Sequence, residues 1–306
     1  MRDSCGRHGD RRRRHPVPVV GGHGVGGGGF HCAVTLPGAA HGHGAVGGPT
    51  SSVALVRVVP FRKLSIFFPM WNEEAYIDRA IGYAKQVCEL LCERGEILDY
   101  ELIVVDDAST DNTPAMADAL AASDPHIVVV HHPANRKLGG SIKTGFATAT
   151  GDIVLYSDAD LPFDMAEVSR AVRLLRSYEA DIVSAYRHDR TGEGRSRAIY
   201  TFFYNILIRS LFGVRLRDIN FAFKLCRTSI FEHISLQSEG SFIDAELIIR
   251  AKKLGFDVIQ FGVDYFPRTR GESTLASASV IRTIIREMLA LRKELRGLQP
   301  LTDTAA

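Results

Sequence analysis

Nowhere in the 306 residues is there an uninterrupted apolar run of about 18 residues, the length a membrane-spanning helix needs. The nearest stretch, 198–208, carries Asn205 and stops at Arg209, so no transmembrane helix is expected. A secretory leader is not expected either, because the arginines at 11–14 run into glycine rather than into an apolar block. Cysteine is scarce. The five present are scattered, odd in number and without ligand spacing, which argues against a disulfide framework or a zinc site. Cys88 and Cys92, four apart on a predicted helix, read as small packed thiols, and a reducing cytosolic setting fits the set. Positive charge is short too once the N-terminus is set aside. Residues 1–60 hold seven arginines against two aspartates, or +5; the whole chain is +2, so the rest carries 2 − 5 = −3. That balance excludes a general nucleic-acid binder.

Residues 1–60 also lack lysine and glutamate, while holding 14 of the 28 glycines and six of the 11 histidines. Such a segment cannot bury enough apolar surface to offset its ordering entropy and is expected to be a disordered Gly/Arg/His-rich extension. Gly24 to Gly29 satisfies G-x-G-x-x-G, but no helix is predicted after it and no acidic residue occurs between it and Glu73. A dinucleotide site needs both.

From Leu64 the pattern becomes regular. Apolar runs at 64–68, 101–105, 126–130 and 153–156 read as buried strands, and residues 74–93, 109–122 and 139–149 between them as helices. Further on come a helix at 166–176, a strand at 181–185 and an aromatic helix at 197–212. A strand or turn near 221–226, a helix at 243–254, a strand at 258–263 and a last helix at 276–295 complete the chain. Strands alternating with helices imply an α/β fold with a parallel sheet and right-handed crossovers. In such sheets ligands bind beyond the carboxyl ends of the strands. There lie Trp71-Asn72-Glu73, Asp106-Asp107 and Asp158-Ala159-Asp160.

One D-x-D is weak evidence, since aspartates cap helices and close turns. Two acidic pairs converging on one sheet edge repel each other, and a divalent cation resolves that. Carboxylate oxygens suit Mg2+ or Mn2+, which reach proteins through one or two carboxylates plus substrate phosphates. A nucleoside diphosphate is the matching ligand.

Four ordered motifs, Pro69-Met70-Trp71-Asn72-Glu73, Val105-Asp106-Asp107-Ala108-Ser109, the stretch from Gly139 to Gly145, and Asp158-Ala159-Asp160, resemble the family-2 glycosyltransferases. They look most like the branch of dolichyl-phosphate mannose synthases and polyprenyl-phosphate glycosyltransferases. The resemblance covers about residues 62–275. It implies a GT-A fold (a Rossmann-like nucleotide-binding sheet with helices on both faces) over 61–275, with 276–306 as an amphipathic helix and tail. It also implies inverting transfer of a hexose from a nucleotide sugar, GDP-mannose or UDP-glucose, held through Mg2+ or Mn2+.

Carried over by position, the resemblance assigns Pro69, Trp71, Glu73, Asp106 and Asp107 to the nucleotide, with Asp107 on the base edge. Asp158 faces ribose and metal, and Asp160 is the principal metal ligand. Where relatives commonly have Gln two residues later, this chain has Pro162, so Asp164 or water could complete the shell. Arg187, at the end of a strand, would contact the phosphate of a polyprenyl phosphate acceptor. Arg197 and Thr201, four apart on one helix face, would join it, with Arg195 able to take the same role. Arg268 would close over the diphosphate and stabilise the leaving group, helped by Ser273. A phosphate acceptor is already largely dianionic near neutrality, its second pKa being about 6, and needs no obligatory base. A hydroxyl acceptor would need one, from Asp160 or Asp244.

A polyprenol tail lives in a bilayer. The aromatic 198–212 segment and the stripe Ile281, Ile284, Ile285, Met288 and Leu289, flanked by arginines, have the composition of an interfacial helix. The expectation is peripheral docking at the cytoplasmic face of the membrane, alone or with a membrane partner protein. Transfer to a glycan or small-molecule hydroxyl is the alternative. A sugar-phosphate nucleotidyltransferase is disfavoured because the loop after the first strand, 68–73, has no glycine, and a non-catalytic sugar-nucleotide binder by the intact Asp158/Asp160 pair.

Overall fold

The computed structural model describes residues 59–188, 195–266 and 278–301, with backbone alone for 195–202, 278 and 279. The extension expected at 1–60 falls, up to residue 58, outside the described residues. All described residues belong to one compact unit, Val56–Ala306.

Seven strands form one sheet in the order β3-β2-β1-β4-β6-β5-β7. They are β1 (Phe61–Met70), β2 (Ile97–Asp106), β3 (Ile127–His131), β4 (Ile153–Ser157), β5 (Ile182–Arg187), β6 (Phe223–Arg227) and β7 (Val258–Val263). β1 pairs parallel with β2 and β4, β2 with β3, and β5 with β7, whereas β6 runs antiparallel between β4 and β5. The α/β reading holds. The antiparallel β6 is the feature that alternation of elements alone does not supply.

Helices cover both faces because strand residues alternate sides. On one face Leu64, Ile66, Leu102 and Val104 pack under α1 (Ile77–Glu93), α2 (Thr113–Ser123) and α4 (Glu167–Ser177). On the other, Phe67, Ile103, Val105 and Tyr156 pack under α3 (Lys137–Thr148), α5 (Arg195–Phe212), α6 (Ile243–Leu254) and α7 (Ala278–Gly297). α1 buries Ile77, Ala80, Ile81, Ala84, Val87, Cys88 and Leu91, a three-four spacing that gives one apolar stripe. Burial raises the Cys88 thiol well above its ordinary value, as a packed, inert thiol requires. α6 ends at Gly255, whose φ of 97° supplies the left-handed turn that closes a helix.

β1 extends beyond 64–68, running through Pro69 to Met70. Asp107 N donates to the Met70 carbonyl on the β2 side. Successive peptide groups alternate sides, so the missing N–H of Pro69 points toward β4. There the last β1–β4 pair is Phe67↔Tyr156, and no ladder bond is lost.

Chain order runs outward from β1 to β3 and then returns across β1 to β4. The switch point therefore lies between the carboxyl ends of β1 and β4, where a crevice is expected. The reversed β6 adds to that edge: its first residue, Phe223, pairs with Ser157, the last of β4. The approach to β6, including Asp218, thus sits at the same edge as Asp158 and Arg187.

Candidate active site

Backbone strain concentrates at this edge. Asn72, Ala108, Lys137, Leu161 and Asp218 all adopt positive φ, between 45° and 61°, in the loops that surround the strand ends. Non-glycine residues hold that conformation only where their surroundings enforce it. The loops after β1 and β2 are tied together. Asn72 N donates to Ser109 Oγ (2.9 Å), Thr110 N donates to Asn72 Oδ1 (2.7 Å), and Glu73 N donates to Thr113 Oγ1 (2.9 Å). Glu74 N donates to Asp111, and Asn112 N donates to Glu74. This stitching fixes the backbone on either side of Trp71, whose side chain is 51% exposed. It also delays α1 to Ile77: Glu74, the first residue of the expected helix, is used in the loop.

Asp106 and Asp107 part company. As neighbours on an extended strand they point to opposite faces of the sheet. The Asp106 carboxylate turns toward α2, accepting from Ser109 N (3.0 Å) and contacting His131 Nδ1 (2.8 Å), whose Nε2 lies 3.2 Å from Asp118. Asp106, foremost, and Asp118 raise the His131 pKa. Asp107 turns toward α3. Its Oδ1 accepts from Arg136 N (2.7 Å) and from His132 Nδ1 (2.7 Å), while His132 Nε2 lies 2.9 Å from Thr144 Oγ1. A carboxylate only accepts, so Nδ1 carries the proton. Asp107 is thus held by His132 and the backbone before α3, whereas Asp106 braces the loop after β2 from the α2 side.

At the end of β4, Asp158 and Asp160 are half-buried and Pro162 is buried. The Asp158 carboxyl is pushed up to about 7 by desolvation first, then by the negative charges of Asp160, Asp244 and Glu73, with the Tyr156 hydroxyl opposing. Accumulated negative potential on hard oxygen donors is what a divalent cation neutralises, so the residues present fit Mg2+ or Mn2+. Among the described residues no group of three or more His, Cys, Asp or Glu side chains is placed to hold a metal ion. Asp158 and Asp160 would share the cation with substrate oxygens. Asp164 is used otherwise: its Oδ1 accepts from Ala166 N (2.9 Å), shaping the turn into α4.

Deeper in the same face is an ion pair that the motifs alone did not reveal. Lys224, fully buried on β6, donates to Asp244 Oδ1 (2.5 Å) and to the Phe221 carbonyl (2.8 Å). Asp244 lies in the first turn of α6 and is 4% exposed. A lysine between Phe223 and Leu225 in an apolar strand was the available signal. Burial raises the Asp244 pKa and Lys224 opposes that rise.

Arg187 ends β5 with its guanidinium bidentate on buried Asp218, Nε to Oδ2 and Nη2 to Oδ1 both at 2.6 Å. It also lies over the rings of Tyr265 (5.1 Å) and Phe221 (5.5 Å). The side chains of Arg197 and Thr201, and all of Arg268 and Ser273, lie outside the described residues. The α7 stripe divides. Met288 is buried, while Ile285 and Leu289 are exposed, as are Phe203, Ile206 and Leu207 on α5, the helix that packs against it. Among the described residues no helix is long and apolar enough to cross a membrane.

Residues 65–235 match the family model described as Glycosyl transferase family 2. Glycosyltransferase AglD of Haloferax volcanii is 31% identical over 228 residues, which is 73% of this chain but 36% of that protein. The chain therefore spans about a third of that relative's length. Polyprenol monophosphomannose synthase of Mycolicibacterium smegmatis is 26% identical over 234 residues, 73% of this chain and 84% of that one. In fold, the chain is similar to glucosyl-3-phosphoglycerate synthase from Mycobacterium tuberculosis in complex with Mn2+, uridine-diphosphate-glucose and phosphoglyceric acid. That structure aligns with a TM-score of 0.59 and 23% identity, over 76% of this chain and 80% of that chain.

Proposed function

The chain belongs to glycosyl transferase family 2, and from that premise we propose that it moves a hexose from GDP-mannose or UDP-glucose to polyprenyl phosphate, with inversion. The observation that carries this reading is the Lys224–Asp244 pair. A hydroxyl acceptor needs a base, and Asp244 is buried and held by a lysine. A phosphate monoester is already anionic at neutral pH and needs none. The names of the mycobacterial relative and of an undecaprenyl-phosphate mannosyltransferase from Micrococcus luteus, 26% identical over 202 residues, point the same way.

In the proposed reaction Trp71 stacks on the base and Asp107 accepts from its edge, with Pro69 and Glu73 framing the ribose. Asp158 and Asp160 hold Mg2+ or Mn2+, which when bound neutralises charge developing on the leaving diphosphate. Arg268 and Ser273, assigned by motif, close over that diphosphate. The acceptor phosphate lies against Arg187, Arg197 and Thr201, positioned for in-line attack on the anomeric carbon. The exposed apolar residues of α5 and α7, with Arg282, Arg286, Arg292 and Lys293 nearby in sequence, support peripheral docking on the cytoplasmic face of a membrane. Transfer to a hydroxyl acceptor is a second reading, favoured by one observation: the Arg187 guanidinium is already compensated by Asp218.

The test is transfer of radiolabel from each donor with Mn2+, with and without polyprenyl phosphate, in wild type and Asp160→Ala. Organic-soluble label that depends on the lipid and on Asp160 supports the proposal. Donor consumption with no lipid product refutes the lipid acceptor, and no donor binding refutes the donor site.

A further inference from the structure

A fully buried phenol sits directly beneath the acidic pair. Tyr156 is the penultimate residue of β4, 1% exposed, and its hydroxyl donates to Asp158 Oδ1 at 3.0 Å. The two residues are two apart on an extended strand and so share a face of the sheet. The ring has little freedom. On one side its strand neighbour Phe67, in register on β1, stacks on it at 5.6 Å between centroids with the planes 21° apart. On the other, its register partner Lys224 on β6 brings Nζ to 5.7 Å from the ring centroid. Nζ is itself fixed by Asp244 and the Phe221 carbonyl. A buried hydroxyl left without a partner is costly, so this bond holds the carboxylate as firmly as the ring is held.

We propose that Tyr156 is a positioning residue for the cation site: its hydroxyl fixes the Asp158 carboxylate in the orientation that receives the cation and the donor diphosphate. The proposal rests on the reading of Asp158 and Asp160 as the cation-binding pair. Strand geometry makes it local and specific. A side chain at the position two before Asp158, pointing along the same face, reaches that oxygen from below. Partners that orient a ligating carboxylate typically change metal affinity by about 10–100-fold when removed.

Tyr156→Phe deletes one oxygen and keeps the ring stacked on Phe67. Tyr156→Met, which also lacks the donor, serves as a second variant, and far-UV circular dichroism melting establishes which of them folds. Free Mn2+ is counted by electron paramagnetic resonance against wild type, each Tyr156 variant, Asp158→Asn and the Tyr156→Phe/Asp158→Asn double variant. Each is measured once with UDP and once with GDP. The expected result is Mn2+ binding about 10–100-fold weaker in the folded Tyr156 variant. The double variant should bind no more weakly than Asp158→Asn alone. Turnover at saturating Mn2+ should stay within a few-fold of wild type, so the loss appears in the metal half-saturation. Unchanged Mn2+ affinity, or losses that add in the double variant, would overturn the positioning role while leaving the glycosyltransferase reading intact. A wild type that fails to bind Mn2+ with either nucleotide would overturn the reading of Asp158 and Asp160 as the cation-binding pair, and the positioning role with it.

Discussion

Replacing Lys224 with Met tests the buried pair at the heart of the site. The side chains of Lys224 and Asp244 are 0% and 4% exposed, so Lys224→Met strands a carboxylate in the interior. Breaking a buried ion pair from one side costs about 3–5 kcal/mol. For a domain of this size each kcal/mol shifts the melting temperature by about 2–4 °C, so a fall of roughly 6–20 °C is expected. Removing both charges together should recover most of it, because Lys224→Met/Asp244→Leu leaves no unpaired group. The single-variant penalty also depends on pH. Burial raises the Asp244 pKa even with Lys224 present, so an unpaired Asp244 takes up a proton more readily still. The deficit should therefore shrink as the pH falls from 8 toward 5. Far-UV circular dichroism is the suitable signal, because the sole tryptophan, Trp71, lies half-exposed at the ligand edge rather than in the core. A Lys224→Met loss below about 1 kcal/mol, within the range of an exposed pair, would refute the reasoning. So would a double variant no more stable than the single.

Arg187→Lys keeps the charge but loses the two-pronged contact with Asp218. It should destabilise the fold by about 1–3 kcal/mol in urea unfolding and raise the KM for polyprenyl phosphate more than that for the donor. An unchanged acceptor KM would remove Arg187 from the acceptor site. His131 gives a pH signature. Its pKa is raised in the fold, so its stabilising contribution is fully present below its ordinary value of 6.5 and is lost as the pH climbs through the raised one. Wild-type stability should fall through that window more steeply than that of His131→Gln, by an amount kept small by solvent screening at a side chain 38% exposed. Parallel stability profiles for the two proteins would contradict the assignment.

Much of this was legible in the sequence because the relevant physics is local. Three-four periodicity located α1, and continuous apolar runs located β2 and β4. What was hidden depended on pairing between distant segments. The reversed β6 carries the same apolar run as a parallel strand would, yet its direction brings Asp218 to the edge occupied by Arg187. Asp106 and Asp107 read as one acidic pair, although the two-residue period of a strand already sends them to opposite faces. The run 64–68 read as the whole of the first strand, but β1 continues through Pro69, whose missing N–H costs nothing because β4 has ceased to pair there. Lys224 could have been singled out as a charge inside an apolar strand, but its partner Asp244 lies in the first turn of a helix, 20 residues later. Tyr156 gave no signal of its own until Asp158 acquired a role.

The measurement closest to the central claim is 31P NMR of the purified acceptor product. Polyprenyl phosphate, the nucleotide sugar and Mn2+ are incubated with the protein, with unphosphorylated polyprenol as a parallel acceptor. The account predicts that the lipid phosphomonoester resonance is replaced by a phosphodiester, and that polyprenol remains unglycosylated. Glycosylated polyprenol, or sugar transferred to another hydroxyl while the monoester persists, would contradict it.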